Sequence, residues 1–462
     1  MNRLPLQNAL QKKTHRPLIF TTTVVIGLLI GGACGRNSST APDNSGLWPF
    51  QQNSRFGFIS ADGKVVIAPR FDNAEAFTEN LAPVLLGKHW GYVNTKGELS
   101  INPQFDYAGQ FSDGLAPVVL NERWGFIDRA GKYVINPQFE WATSFSEGLA
   151  AVAQQKRWGY INAKGETVIQ PQFDYAGEMK EGLAAVKISD RWGFVDTLGK
   201  LVINPQYDSA MPFSEGRAQV AIGGRAGYIG KDGKYLVGPQ FDDAGEFHDG
   251  IAAVKVGEKW GYVDREGKYI VSPQFDEAGT FADNRAPVRI GKRLGYVDKS
   301  GKLAINPQYD AATPFTHGLA FVKEEEGKSG YIDPDGRYVW VDLSGMVKRT
   351  LSDMRTIGIA WEARATDLNT YAIDGISDGP VTLDQLNGAL APTYIRRMPR
   401  EDAWSTPFVV RVSKQGGSYR IVSAGPNKQT NGQPGGDSDD IVFDNGSFTK
   451  APPEMNGENP VN

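Results

Sequence analysis

The chain repeats itself every 34 residues, and that period limits its possible folds more than any other feature. The dipeptide Trp-Gly stands at Trp90-Gly91, Trp124-Gly125, Trp158-Gly159, Trp192-Gly193 and Trp260-Gly261, so successive tryptophans lie 34 residues, or twice that, apart. Glycine keeps the register where tryptophan is replaced, at Gly57, Gly227, Gly295 and Gly330, and an aromatic follows it, as in Phe58, Tyr92, Phe126 and Tyr331. Nine units therefore begin between residues 56 and 330, eight complete and the ninth ending near Trp340. Such a period marks units that cannot bury an apolar face alone and must stack on their neighbours.

The content of a unit decides between helix and strand. A 34-residue period also suits paired helices, but every unit carries a proline and several glycines, and no 3.6-residue apolar stripe survives between them. Short runs of Val, Ile, Tyr and Phe, bounded by Gly-Lys or Asp-Gly, predict strands and tight turns. Three strands are expected per unit: Leu-Ala-x-Val, then Trp-Gly-aromatic-Ile/Val, then x-Val-Ile ending at the proline. The segment Gln-Phe-Asp-x-Ala-x-x-Phe-x-x-Gly is expected to join units through a helical or irregular turn. The prediction is a mainly β array of about nine units over residues 54–340, open and solenoid-like, with propeller-like closure as the alternative.

This pattern resembles the WG repeat, also called the KWG repeat, of bacterial proteins. The resemblance covers residues 54–340 and implies an all-β repeat array. It implies no particular activity.

Composition narrows the function. Lys and Arg total 49 against 53 for Asp and Glu, a net charge of −4, which argues against nucleic acid as a partner. The single cysteine, Cys34, excludes an internal disulfide framework and a cysteine zinc cluster. The four histidines, His15, His89, His248 and His317, show no metal-motif spacing. No asymmetric nucleophile, base and orienter stand out, so no catalytic residue is assigned. The repeated Trp-Gly positions are read as structural, with Trp or Phe stacking into a continuous core and the glycine allowing close approach. A basic residue precedes the motif at Arg123, Arg157, Arg191, Arg225, Lys259 and Arg293, and suggests a salt-bridged face or a ladder for an extended anion. Asp106, Asp174, Asp208, Asp242, Asp276 and Asp310 follow Pro-Gln-aromatic and are expected to accept local turn hydrogen bonds.

The N-terminus reads as an export signal. Lys12, Lys13 and Arg16 precede an uncharged run from Leu18 to Ala33, short for a spanning helix and suited to a signal h-region. Small residues before Cys34 resemble a bacterial lipobox, which implies lipidation of Cys34 after removal of residues 1–33; an uncleaved anchor and simple secretion are the alternatives. Residues 34–53 read as a flexible tether. An exported protein held at a membrane, on its periplasmic or extracellular side, is the resulting expectation.

After Trp340 the repeat grammar stops. Apolar or small residues at 347, 351, 354, 358, 361, 365 and 368 predict an amphipathic helix bearing Leu351, Met354, Trp361 and Leu368 on one face. A second helix is expected at Thr382–Leu390 with Thr382 as its N-cap. Phe408–Val412 and Tyr419–Ser423 around Gly416-Gly417 predict a hairpin. Residues 341–448 are read as a small α+β domain and 449–462 as a disordered tail.

The order of these elements, with Asp353-Met354-Arg355-Thr356-Ile357, Met398–Phe408 and Tyr419–Asn427 followed by Gly435–Ile441, resembles the globular domain of the major pseudopilin of type II secretion. That family binds calcium in its last loop, which implies Asn427, Asp437, Asp439 and Asp440 as candidate calcium ligands, on hard oxygens suited to that ion. A hydrated acidic turn is the alternative. Because no apolar run enters the helix at 330–350, the domain is not expected to polymerise as a pseudopilin does. The combined reading is a non-enzymatic, envelope-anchored binding or scaffold protein for a protein or cell-envelope polymer. The alternatives are an accessory component of a type II secretion or pilus-like system, and an enzyme of unknown class.

Overall fold

The computed structural model describes residues 45–325, 327–428 and 440–450. From residue 47 to 342 the chain forms nine small antiparallel sheets in sequence order, each a meander in which consecutive strands pair. In sheet three the strands are Tyr107–Ala108, Ala116–Leu120, Arg123–Ile127 and Tyr133–Phe139. Sheet one shows three strands among the described residues, Leu47–Gln52, Arg55–Ser60 and Val65–Phe71. Sheets two to nine have four each.

Two local expectations are corrected. The connector after Pro-Gln-aromatic is not helical: its Tyr107 and Ala108 pair with Val119 and Val118 as a short first strand of the next sheet. The proline does not end its strand either. Pro137 lies inside Tyr133–Phe139, at a register shift where Trp124 faces Phe139 and Phe126 faces Ile135. It sits on an edge strand, where a missing donor costs no ladder bond and discourages pairing with another chain. The tether expected at 34–53 also gives way at its end, because Leu47–Gln52 is the first described strand of sheet one, fully registered with Arg55–Ser60.

The sheets bury their faces against each other. In seven of the nine units the aromatic after the glycine meets a ring 19 residues later, as in Phe58–Phe77, Tyr92–Phe111 and Tyr228–Phe247, with centroids 4.7–4.9 Å apart in these three. Where that aromatic is tyrosine, its hydroxyl donates to a carbonyl of the next unit: Tyr92 to Gly109 at 2.6 Å and Tyr160 to Gly177 at 2.8 Å. Burial pushes both phenols above their ordinary range. The turn glycine of sheets two to nine seats on an isoleucine or valine of the sheet before it, as Gly131 on Ile101, Gly165 on Ile135 and Gly267 on Val237.

That last contact recurs across the ends of the array. Gly63 of sheet one seats on the main chain of Val339 in sheet nine, where the other turn glycines seat on an isoleucine or valine side chain of the sheet before them. Around it, Phe50 meets Trp340 at 4.8 Å, Trp48 Nε1 donates to the Thr316 carbonyl at 3.1 Å, and the Tyr331 hydroxyl donates to the Pro49 carbonyl at 2.6 Å. Trp48, Phe50, Ile59, Leu319 and Tyr331 form one buried cluster. The open, solenoid-like arrangement is therefore replaced by the closed, propeller-like one: nine sheets in a ring, joined at the ends by side chains. Among the described residues no strand ladder links sheets one and nine.

Beyond the ring, helix α1 (Ser344–Leu368) and helix α2 (Leu383–Leu390) pack with a five-stranded antiparallel sheet of Gly379–Val381, Val409–Ser413, Ser418–Ser423, Ile441–Asp444 and Ser447–Lys450. Met354, Ile357, Trp361, Leu386, Tyr419 and Phe443 centre its core. Gly358 brings α1 onto the sheet: a Cβ there would stand 2.3 Å from the Phe443 ring. Thr382 caps α2 in a reciprocal capping box with Gln385. Leu368, expected on the buried face of α1, is 53% exposed in its last turn.

Candidate binding surface

The glycines of the Trp-Gly pairs have a single physical reason. A Cβ on Gly91, Gly125, Gly159, Gly193 or Gly261 would stand 2.3–2.6 Å from the main-chain oxygen of the fourth strand of the same sheet, for instance Ile169 beside Gly159. The bulge carrying the proline folds over this position, and only a hydrogen fits beneath it. The approach is backbone on backbone, within one unit.

The tryptophans are not where the repeat pattern suggests. Trp90 is buried, but Trp124, Trp158, Trp192 and Trp260 are only half-buried, while the continuous core is built from the aromatic two residues later. Each sits beside the turn joining the second and third strands, in one row across its sheet: Tyr107, Val119, Trp124 and Phe139 are directly paired in sheet three. Trp90 meets Tyr107 at 5.9 Å, Tyr107 meets Trp124 at 5.6 Å, and Trp124 meets Trp141 at 5.1 Å. A second run joins Trp158, Tyr175 and Trp192 at 5.2 and 5.4 Å. The partners Tyr107, Trp141 and Tyr175 belong to the unexpected short strand. Their signal was a second aromatic 17 residues after each of Trp90, Trp124 and Trp158.

The basic ladder beside this row is salt-bridged. Arg157, Arg191 and Arg293 pair with Asp174, Asp208 and Asp310, Arg225 with Asp242 at 2.7 Å, and Lys259 with Asp276 at 2.5 Å. The aspartates do more than hold local turns. Asp208 also accepts the Gly223 N–H at 2.7 Å and Asp276 the Gly291 N–H at 2.7 Å, in the turn of the following sheet, so each bridges two units.

A second carboxylate series ties the other loops. Glu147 accepts the Gly182 N–H at 2.8 Å, and Glu181 and Glu215 accept those of Gly216 and Gly250 at 3.0 Å. Burial works against the ionised form of Glu215, but Arg265 at 2.7 Å and the Gly250 N–H hold its carboxyl below the ordinary value. His248 lies 3.6 Å from Glu246, which raises its pKa against the opposing effect of burial.

Of the candidate calcium ligands, Asp437 and Asp439 lie outside the described residues, as does Cys34 with the whole export signal. Asp440 is buried just before Ile441–Asp444, and Asn427 ends the short turn Gly425–Asn427. Among the described residues no group of three His, Cys, Asp or Glu side chains is placed to hold a metal, and no helix is long and apolar enough to cross a membrane.

The sequence family described as "WG containing repeat" matches this chain in eight consecutive copies, at residues 56–88, 90–124, 124–157, 158–192, 192–225, 227–260, 260–293 and 295–328. The chain belongs to the WG-repeat family. No curated protein sequence matches the WG-repeat protein. Among solved structures it is similar to a eukaryotic initiation factor, with a TM-score of 0.49 at 10% identity over 64% of this chain and 96% of that one. It is also similar to BamB from Moraxella catarrhalis, with a TM-score of 0.35 at 13% identity over 63% of this chain and 98% of that one.

Proposed function

We propose that this WG-repeat protein is a non-enzymatic binding or scaffold module, presenting the ring surface to a protein or cell-envelope polymer. The observation that carries this reading is how the recurring side chains are used. The Arg–Asp pairs, the Glu–Gly bonds and the Tyr–carbonyl bonds all join one unit to the next. The residues that recur hold the ring together, and those that vary from unit to unit distinguish its surface. The full chain, immobilised and exposed to envelope extract, is expected to retain a specific component that a denatured control does not. Failure to retain any component above that control would overturn the reading.

The proposal extends to placement. Export and attachment through Cys34 are supported by the charged n-region, the uncharged run and the small residues before the cysteine. Incorporation of a fatty-acid analogue, abolished by Cys34→Ala, is the expected result; labelling of the variant would refute it. Likeness of the C-terminal domain to a major pseudopilin, and with it an accessory role in a type II secretion or pilus-like system, rests on the order of helix, hairpin and acidic loop. Calcium in that loop belongs to the same proposal.

A further inference from the structure

The row of rings beside the turns is not demanded by the fold. In sheets three to five its first-strand position holds Tyr107, Trp141 and Tyr175, but in sheets six to nine the same position holds Ser209, Asp243, Glu277 and Ala311. The third-strand position holds Trp90, Trp124, Trp158 and Trp192 in sheets two to five and Trp260 in sheet seven, but Ala226, Leu294 and Ser329 in sheets six, eight and nine. The sheets form equally well either way: Glu277 and Arg289 fill the row in sheet eight as an ion pair at 2.6 Å. Aromatic rings are thus concentrated on one arc of the ring. On sheets three to five they are half-buried or exposed rather than core, with Tyr175 39% exposed.

We infer that this arc, over sheets three to five, is a binding site for a pyranose polymer with equatorial hydroxyls. The inference rests on the binding-module reading above and names its ligand class. Rings set 5.1–5.6 Å apart and tilted by 41–60° offer a curved series of partial faces and edges, against which the C–H faces of successive sugars can lie. The electrostatics select among ligands that stack on aromatics. Arg157 and Arg191 are neutralised by Asp174 and Asp208, so this part of the ladder offers the rings paired charges rather than the free positive charge that single-stranded nucleic acid favours. The same pairs set donors and acceptors beside the rings, which complements uncharged, hydroxyl-rich sugars. A proline-rich helix would use the rings but not those polar groups.

The test titrates the full chain with two probes, the hexasaccharides of β-1,4-linked glucose and of β-1,4-linked N-acetylglucosamine, read by tryptophan fluorescence and calorimetry. Saturable binding of at least one is expected. Trp141→Ser and Tyr175→Ser, which copy the residue at Ser209, are expected to weaken it at least tenfold while leaving the melting profile near that of the parent. Ser209→Ala is expected to bind as the parent does. Absence of saturable binding to both sugars, equal binding by both variants, or binding of decaproline in place of sugar would each overturn the assignment. If the Trp141→Ser variant still retains the component captured from envelope extract, the binding-module reading stands and the sugar-binding arc falls.

Discussion

At the scale of single residues, one hydrogen atom explains the repeat's signature. Gly159→Ala would drive a Cβ to 2.3 Å from the Ile169 oxygen, and because that oxygen belongs to the main chain it cannot swing aside. A cost of about 3 kcal/mol is expected, at the upper end for overpacking. Gly148→Ala meets nothing within 4 Å, and its φ of +79° alone sets a cost of about 1–2 kcal/mol. Paired denaturant melts check the order, and equal losses would show that conformation rather than contact selects these glycines. Trp158, half-buried, is expected to cost about 1–3 kcal/mol as Ala, whereas Phe173, 2% exposed, should cost about 3–5 kcal/mol. The repeat period identifies equivalent positions but not the environment each one faces, so the tryptophans read as core while the ring two residues later holds that place. A pH effect belongs to this scale as well. The pKa of His248 is raised in the folded chain, so its contribution is present in full below the ordinary value of 6.5 and fades as pH climbs through the folded value. His248→Gln is therefore expected to lower the melting temperature more at pH 5 than at pH 8, and a pH-independent loss would refute the coupling to Glu246.

At the scale of elements, legibility followed length. Helix α1 was readable because its 25 residues give the apolar spacing several turns in which to show, and α2 because Thr382 and Gln385 form a cap three residues apart. The two-residue strands, such as Tyr107–Ala108, are too short to display any alternation, and they form because a neighbouring strand is there to pair with. The candidate calcium loop was readable only as chemistry: an acidic, glycine-rich run between Asn427 and Ile441 shows which donors are available but not where they meet. Millimolar calcium is expected to raise the melting transition of the C-terminal domain in the full chain, and chelator to reverse the rise, because a cation relieves repulsion among adjacent carboxylates. Combined Asp439→Asn/Asp440→Asn should abolish the response; an unchanged midpoint in the parent would leave a hydrated turn.

At the scale of the molecule, the number of sheets was countable in the sequence and their closure was not. Curvature accumulates from small rotations between units, and no residue pattern within one unit records the total. The clues that do exist are singular rather than repeated: Trp48 and Phe50 stand where sheet two has Ala82 and Val84, and Trp340 stands in sheet nine where sheet three has Ile135. Combined Trp48→Ala/Phe50→Ala should therefore act on the whole ring, broadening its unfolding transition and enlarging its hydrodynamic radius. The same change at an internal aromatic pair such as Phe126–Phe145 should leave the radius near that of the parent once the chain is folded. A compact, sharply melting Trp48→Ala/Phe50→Ala variant would show that the joint is dispensable.

The side-chain joint also determines how the molecule responds to being pulled. Sheet one begins at Leu47, and the C-terminal helix departs at Ser344 directly after the last strand of sheet nine, so both ends of the ring lie at the same place. Tension applied between them does not stretch the nine sheets in series. It falls first on Trp48, Phe50, Tyr331 and Trp340, and then peels antiparallel strands away one ladder bond at a time, the geometry in which a sheet yields at low force. A load carried from one end of the ring to the other would open it at this joint before it disturbed the rings on sheets three to five.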